Sequence, residues 1–304
     1  MDEILNKKHY RQTFYVVTAL LLLLSSLLRF YTVPYFYPTD PITTSSFLIT
    51  FLDNLTTSLL ITIFIGVFVF WLKPDIVKRS SIEVIEPKQI GQLLKEATFS
   101  SKFWIYKGAC GRYTRSTTLP KLAEAARNEG IGRDIYIYLL NPKNHILCTE
   151  YATYRRSLKS GKSLPEWRKK SVQEEIIATA VSALKYRSNE PLLRIKLYFI
   201  DSFSAFRLDI SDQYVIVTKE EKEASALRAD IGTYFYDSYK DDVRLAERQS
   251  KELDCCGNIE FNGKLTREKL EEVLRCADLY EFVLEQELDH EKILQLTNNP
   301  TNPY

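Results

Sequence analysis

The stretch most suited to chemistry is Gly108-Ala-Cys-Gly111-Arg112-Tyr-Thr-Arg115-Ser-Thr-Thr118. It leaves a run of β-forming residues, holds two glycines and two arginines, and enters a helical pattern. Exposed N–H groups at a helix start favour anions, and in open α/β sheets ligands sit at the carboxyl ends of strands. Lys107, Gly108, Gly111, Arg112, Arg115 and Thr118 therefore form a candidate anion or phosphate site, with Thr118 as the helix N-cap. A plain connecting loop with surface arginines is the alternative.

A second constellation is basic. Arg155, Arg156, Lys159, Lys162, Arg168, Lys169 and Lys170 are interleaved with Tyr151, Tyr154 and Trp167. Such residues bind anionic lipid near a cytosolic leaflet, or nucleic-acid phosphates with aromatics to stack on bases, or simply face water. Residues 102–170 hold 15 basic and 5 acidic side chains, net +10, whereas 171–304 hold 17 and 26, net −9. The overall charge of +2 hides this division.

Other chemistry is poorly supported. Gly161-Lys162-Ser163 resembles the end of a phosphate-binding loop, but the glycine needed five residues earlier is Arg156. The three histidines, His9, His145 and His290, are scattered, and no serine sits in a Gly-x-Ser-x-Gly elbow. Cys255-Cys256 lacks a second ligand pair at zinc-like spacing, so neither a metal nor a cofactor is expected. All five cysteines (Cys110, Cys148, Cys255, Cys256, Cys276) fall in the part assigned to the cytosol and are expected to be reduced thiols.

The elements that must position these residues follow from periodicity. Residues 87–97 carry a helical stripe (Ile90, Leu93, Leu94, Ala97); 102–107 read as a strand, 119–129 as a helix with Pro120 in its first turn, and 134–140 as a second strand. This is a βαβ unit with parallel strands. Helices are expected at 149–159 and 166–187, and a third strand at 192–200. Segments 205–210 and 213–218 read as a hairpin on its edge. A polar helix follows at 237–253, then a break at 255–264. A charged helical region at 266–296 has a stripe of Leu270, Val273, Leu274, Ala277, Tyr280, Leu284 and Leu288, and 298–304 read as a frayed tail.

The first eighty residues belong to a different solvent. Residues 14–31 and 47–72 are long apolar runs, each about long enough to cross a ~30 Å hydrocarbon core. Lys7, Lys8 and Arg11 precede the first run, and Lys73, Lys78 and Arg79 follow the second, whereas residues 32–46 contain neither Lys nor Arg. The positive-inside rule puts both termini in the cytosol and the short loop outside. Tyr15, Tyr31, Tyr35, Tyr37 and Trp71 suit an interfacial belt, and Arg29 can snorkel outward. Asp53, Asn54 and Thr57, with Thr56 and Ser58, give the second run a polar face suited to a partner helix or to water. The expected fold is thus an N-terminal transmembrane α-helical hairpin (1–79), an α/β cytosolic domain (80–253) and a C-terminal helical extension (254–304).

From residue 101 to about 253 the order of elements resembles a phospholipase-D-like module. The stretches carrying the resemblance are Phe103-Trp-Ile-Tyr-Lys-Gly108, residues 134–140, and Phe206-Arg-Leu-Asp-Ile-Ser-Asp-Gln-Tyr-Val-Ile-Val-Thr218. It implies a mixed sheet flanked by helices. The family's His-x-Lys is not matched: with Asp212 as its Asp, Ala205 and Arg207 stand at the His and Lys positions. Two spans ahead of such a domain are similar to cardiolipin-synthase-like enzymes, and a hairpin on a non-catalytic cytosolic domain resembles two-span membrane effectors of bacterial anti-phage systems, retron and cyclic-oligonucleotide systems among them.

The resemblance implies a non-enzymatic effector of abortive infection at the bacterial inner membrane. The cytosolic domain would sense a protein or a nucleic-acid-containing complex, for example a reverse transcriptase with its non-coding RNA or DNA, and the chain could be a homo-oligomer. A membrane-tethered phosphodiesterase or lipid-modifying enzyme, and a plain anchor or scaffold, are the rivals. For topology, reporters fused after residues 10 and 80 are expected in the cytosol and one within 34–41 outside; a cytosolic central reporter would refute the hairpin.

Overall fold

In a computed structural model of the 304-residue chain, the described residues are 8–36, 44–71, 79–161, 167–253, 259–261 and 263–302. Lys7, Tyr37, Lys73, Lys78, Lys162, Ser163, Cys255 and Cys256, singled out above, lie outside them. The chain forms two compact units, Met1–Lys78 and Arg79–Tyr304.

The first unit is a helical pair. Helix α1 (Lys8–Leu27) runs on through a wide turn at Leu28–Thr32, and α2 spans Thr44–Trp71. Two segments, Gln12–Thr32 and Ser46–Phe68, are long and apolar enough to cross a membrane. Their large side chains, among them Leu20, Leu24, Phe51 and Phe64, are mostly exposed. Two apolar helices that bury so little in each other require a further apolar medium or surface. Where they meet, Ser25 Oγ and Thr56 Oγ1 are 2.7 Å apart, and Arg29 Nε donates to Asp53 Oδ1 at 2.9 Å. Arg29 thus pairs across the hairpin instead of reaching outward alone, because an opposite charge stands one helix away.

The second unit is built on an eight-stranded mixed sheet of β1 (Glu83–Ile85), β2 (Phe103–Lys107), β3 (Arg133–Leu140), β4 (Leu193–Ile200), β5 (Phe206–Ser211), β6 (Tyr214–Lys219), β7 (Ala226–Asp230) and β8 (Lys251–Glu252), in the order β1-β7-β6-β5-β2-β3-β4-β8. Strands β2, β3 and β4 are parallel, as the βαβ spacing predicts. The hairpin β5–β6 is not on the edge of β4: β5 pairs antiparallel with β2. The five residues 201–205 allow this crossing, since ~17 Å of extended chain covers three strand spacings of about 4.8 Å. Three short strands, β1, β7 and β8, were not legible beforehand; at two to five residues they carry too little alternation to read.

Helices cover both faces. On one lie α3 (Pro87–Ser100), α4 (Leu119–Glu129), α5 (His145–Ser157) and α6 (Lys169–Asn189), sharing a core with Trp104, Tyr106, Ile135, Ile137, Ile195 and Leu197. On the other, Tyr236, Val243 and Ala246 of α7 (Tyr234–Gln249) pack on Tyr138, Tyr198, Ile210 and Val215. The alternation of β2 makes this possible, with Trp104 and Tyr106 facing α6 and Phe103 and Ile105 facing α7.

The C-terminal region is three short helices, α8 (Arg267–Cys276), α9 (Tyr280–Glu285) and α10 (His290–Asn298), rather than one. Asp278 and Glu287 take positive φ and turn the chain between them. Leu270, Val273, Leu274, Val283 and Ile293 cover Ile177, Val181 and Leu184 on the outer face of α6. Cys110 and Cys148 are free and buried, but Cys276 is disulfide-bonded. The expectation of five reduced thiols therefore fails at Cys276, since compartment sets how often disulfides form and the fold sets which cysteines meet.

Buried arginines tie the layers together. Arg133 donates to the carbonyls of Thr98, Ser101 and Phe99, closing the carboxyl end of α3. Arg115, 2% exposed, donates to Glu175 Oε2 at 2.6 Å, Glu175 O at 3.0 Å and Thr179 Oγ1 at 2.9 Å, joining the loop after β2 to α6. Breaking a buried ion pair costs more than forming it gains, because one charge is left uncompensated. Glu175→Gln is expected to destabilise the protein by about 3 kcal/mol. A denaturant melt followed by tryptophan fluorescence measures this, and an unchanged midpoint would show that carbonyls alone satisfy Arg115.

Candidate anion pocket

The carboxyl end of β2 opens on a small cavity of about 170 Å³. Tyr106, Cys110, Gly111 and Arg112 line it from β2 and its loop, Tyr151 and Arg155 from α5, and Trp167 from the residue pair before α6. Arg207, Glu220 and Lys222 come from the hairpin, and Thr301 and Asn302 from the tail. Four cations thus surround the cavity against one lining carboxylate, that of Glu220.

Two glycines let the chain pack closely around the pocket. A Cβ on Gly108 would stand 2.4 Å from Tyr106 Oη and 3.1 Å from Arg207 Cγ, so any side chain would push Tyr106 or Arg207 aside. Gly111 has φ +64°, and a Cβ there would meet Thr179 Cγ2 at 2.7 Å. Its N–H instead donates to Tyr106 Oη at 3.0 Å.

The walls are cationic and aromatic. Arg155, 4% exposed, donates to Glu220 O, and its guanidinium lies 4.9 Å from the centre of the Trp167 ring. Arg112 approaches the same ring at 5.6 Å, and its Nε stands 3.4 Å from Glu175 Oε1. Arg156, outside the pocket, donates to Trp167 O at 3.0 Å and so braces the ring. The Nε of Arg155 and the Nε1 of Trp167 are buried and donate to nothing among the described residues. Unsatisfied buried donors are costly, and two beside one cation-lined cavity suit an acceptor-rich ligand.

Burial also sets the proton affinities. It pushes the Cys110 thiol and the Tyr106 and Tyr151 hydroxyls well above their usual ranges. Asp209 lies behind Arg207, with Oδ2 3.4 Å from its Nε. Burial raises this carboxyl to about 6, against the lowering pull of Arg207.

The expected sites are partly assembled and partly dispersed. Gly111 and Arg112 line the pocket, and Gly108 packs behind it against Tyr106 and Arg207. Lys107 does not: strand alternation turns it to the other face, where it meets Asp242 at 2.7 Å. Arg115 is committed to Glu175, and Thr118 makes no capping bond because the helix already runs through Thr114–Thr118 as a wide turn. The basic run divides similarly. Arg155 is a pocket wall, whereas Arg156, Lys159, Arg168 and Lys170 are exposed and Lys169 is half-buried. Lys169 donates to the neutral amide oxygen of Gln286 at 3.3 Å, and Lys170 pairs with the Glu287 carboxylate at 3.2 Å, so a charge of the acidic C-terminal half neutralises one of the basic half within one chain. Asp212 accepts from Lys102 N at 3.0 Å in the β5–β6 turn, at the opposite end of β5 from Arg207. His145 lines a separate open recess with Ile146, Thr149 and Lys169.

Several lining residues escaped notice as site residues. Tyr106 was hidden by reading as strand core, Glu220 and Lys222 by lying past a strand end, and Thr301 and Asn302 by sitting in an apparent tail. Arg207 stands where the expected resemblance would put a lysine, which by itself assigns it no role. On acidification through pH 6 the Asp209 proton returns and the pocket gains one positive charge. Because the folded value lies above the ordinary carboxylate one, the same proton contributes stability that is complete below pH ~4 and lost as pH rises through 6. Sulfate, whose charge is constant over this range, is expected to bind several-fold more tightly at pH 5 than at pH 7, and Asp209→Asn to flatten the profile; calorimetric titration measures both.

No family model matches the chain, and no curated protein does. Among solved structures, TrmBL2, an archaeal chromatin protein described as showing a novel mode of DNA binding, aligns at a TM-score of 0.33 and 11% identity, over 66% of this chain. The match spans 64% of that chain, and a likeness at this level carries neither fold nor function across.

Proposed function

We propose that the protein is a non-enzymatic membrane effector whose soluble unit binds a phosphorylated ligand and whose hairpin acts on the bilayer. The observation that carries the ligand half is a cavity lined by four cations, two of whose lining residues, Arg155 and Trp167, hold buried donors (Nε and Nε1) without a hydrogen-bond partner among the described residues. The cavity of about 170 Å³ suits a phosphate or phosphomonoester rather than a bulky ligand. The lining nucleophiles, Cys110 and Tyr106, are held protonated by burial, which favours binding over covalent chemistry.

The membrane half rests on two exposed apolar helices of spanning length. The resemblance to two-span anti-phage effectors supplies the setting. In this reading the protein lies in a bacterial inner membrane with both termini cytosolic, and a partner complex containing nucleic acid delivers the trigger. Arg156, Lys159, Arg168 and Lys170 give that partner an exposed basic face.

The test uses full-length protein in detergent with pyrophosphate as probe. Lys222→Glu combined with Arg112→Gln is expected to weaken pyrophosphate binding at least about tenfold, since one charge-assisted contact is lost and another is reversed, without a large shift in melting. In cells, the same variant is expected to lower the depolarisation that follows expression of the wild type. Unchanged binding would remove the pocket from the proposal, and turnover of a phosphodiester by the wild type would replace effector with enzyme.

A further inference from the structure

The polar side chains of the two spans are largely satisfied within the hairpin. Thr50, Thr57 and Thr62 each donate to the carbonyl four residues earlier at 2.8 Å, and Thr56 donates to Leu52 O at 2.7 Å. Asp53 is held by Arg29. Asn54 and Ser58 differ. Both are exposed, they lie one helical turn apart on one face of α2, and neither makes a side-chain hydrogen bond among the described residues.

Asn54 lies eight residues into a span that begins at Ser46, which is ~12 Å along the helix and inside a ~30 Å hydrocarbon core. No water is present there to satisfy a carboxamide, and an unpaired one costs several kcal/mol. A carboxamide donates and accepts at once, so its simplest complement is another carboxamide. The neighbouring Arg29–Asp53 pair leaves the hairpin neutral at this level, so two identical faces meet without charge repulsion.

We infer that Asn54, flanked by Ser58, is the contact through which α2 pairs with α2 of a second copy of this chain. This rests on the membrane-spanning reading of the hairpin. It also reassigns the polar face: Asp53 and Thr57 serve the hairpin itself, and Asn54 serves the neighbour.

Full-length protein labelled at its N-terminus and reconstituted at low density in liposomes reports association by energy transfer. The wild type is expected to associate, Asn54→Leu to weaken association by roughly three- to thirtyfold, the scale of an interhelical hydrogen bond in lipid, and Asn54→Gln to retain it. Thr57→Val, whose hydroxyl is already bonded to its own helix, is expected to change nothing. Alkaline carbonate extraction of the same liposomes separates the two levels of the argument. Protein that resists extraction yet associates equally well as Asn54→Leu, or is monomeric as wild type, would overturn the interface and leave the spans standing. Wild type released by carbonate would overturn the spanning reading and the interface with it.

Discussion

The carboxylate of Glu175 is the interaction on which the soluble unit's organisation turns. It sits on α6 and holds Arg115 on one oxygen while Arg112 approaches the other. Arg115 is almost wholly buried, so this pairing must be made for the loop after β2 to close against α6 at all. Once it closes, Gly111 is pressed against Thr179, and Arg112 points into the cavity beneath Trp167. The pocket is therefore a consequence of how one charged loop is buried.

That burial explains why the cavity is polar yet poorly satisfied. Its arginines are braced by Trp167, by Glu220 and by each other's partners, which fixes their positions but leaves donors unspent. Fixed, desolvated donors favour an anion because no reorganisation is needed when it arrives. The same desolvation keeps Cys110 and Tyr106 protonated, so the feature that favours binding disfavours a nucleophile.

The N-terminal hairpin follows the opposite logic. Leu20 and Phe64 stay exposed, and polar groups mark where the two helices meet. Ser25 with Thr56 and Arg29 with Asp53 set that register from within, which leaves Asn54 as the polar group directed elsewhere.

The amino-acid sequence by itself determined the two apolar helices of spanning length, the parallel β2–α4–β3 unit, the third strand, the hairpin and most helices, because each rests on local periodicity. It also placed Arg112 and the glycines of one loop at a strand's carboxyl end. Tertiary structure decided the rest. Whether Lys107 or Tyr106 faces the pocket depends on which side of the sheet each core occupies. Whether Arg155 is a wall or a free charge depends on Glu220, 65 residues away. The partition of the basic run, part pocket, part exposed and part neutralised by the acidic C-terminal helices, is invisible to a count of charges. Long-range pairing selects among side chains that local pattern makes equivalent, and only the folded chain supplies their partners.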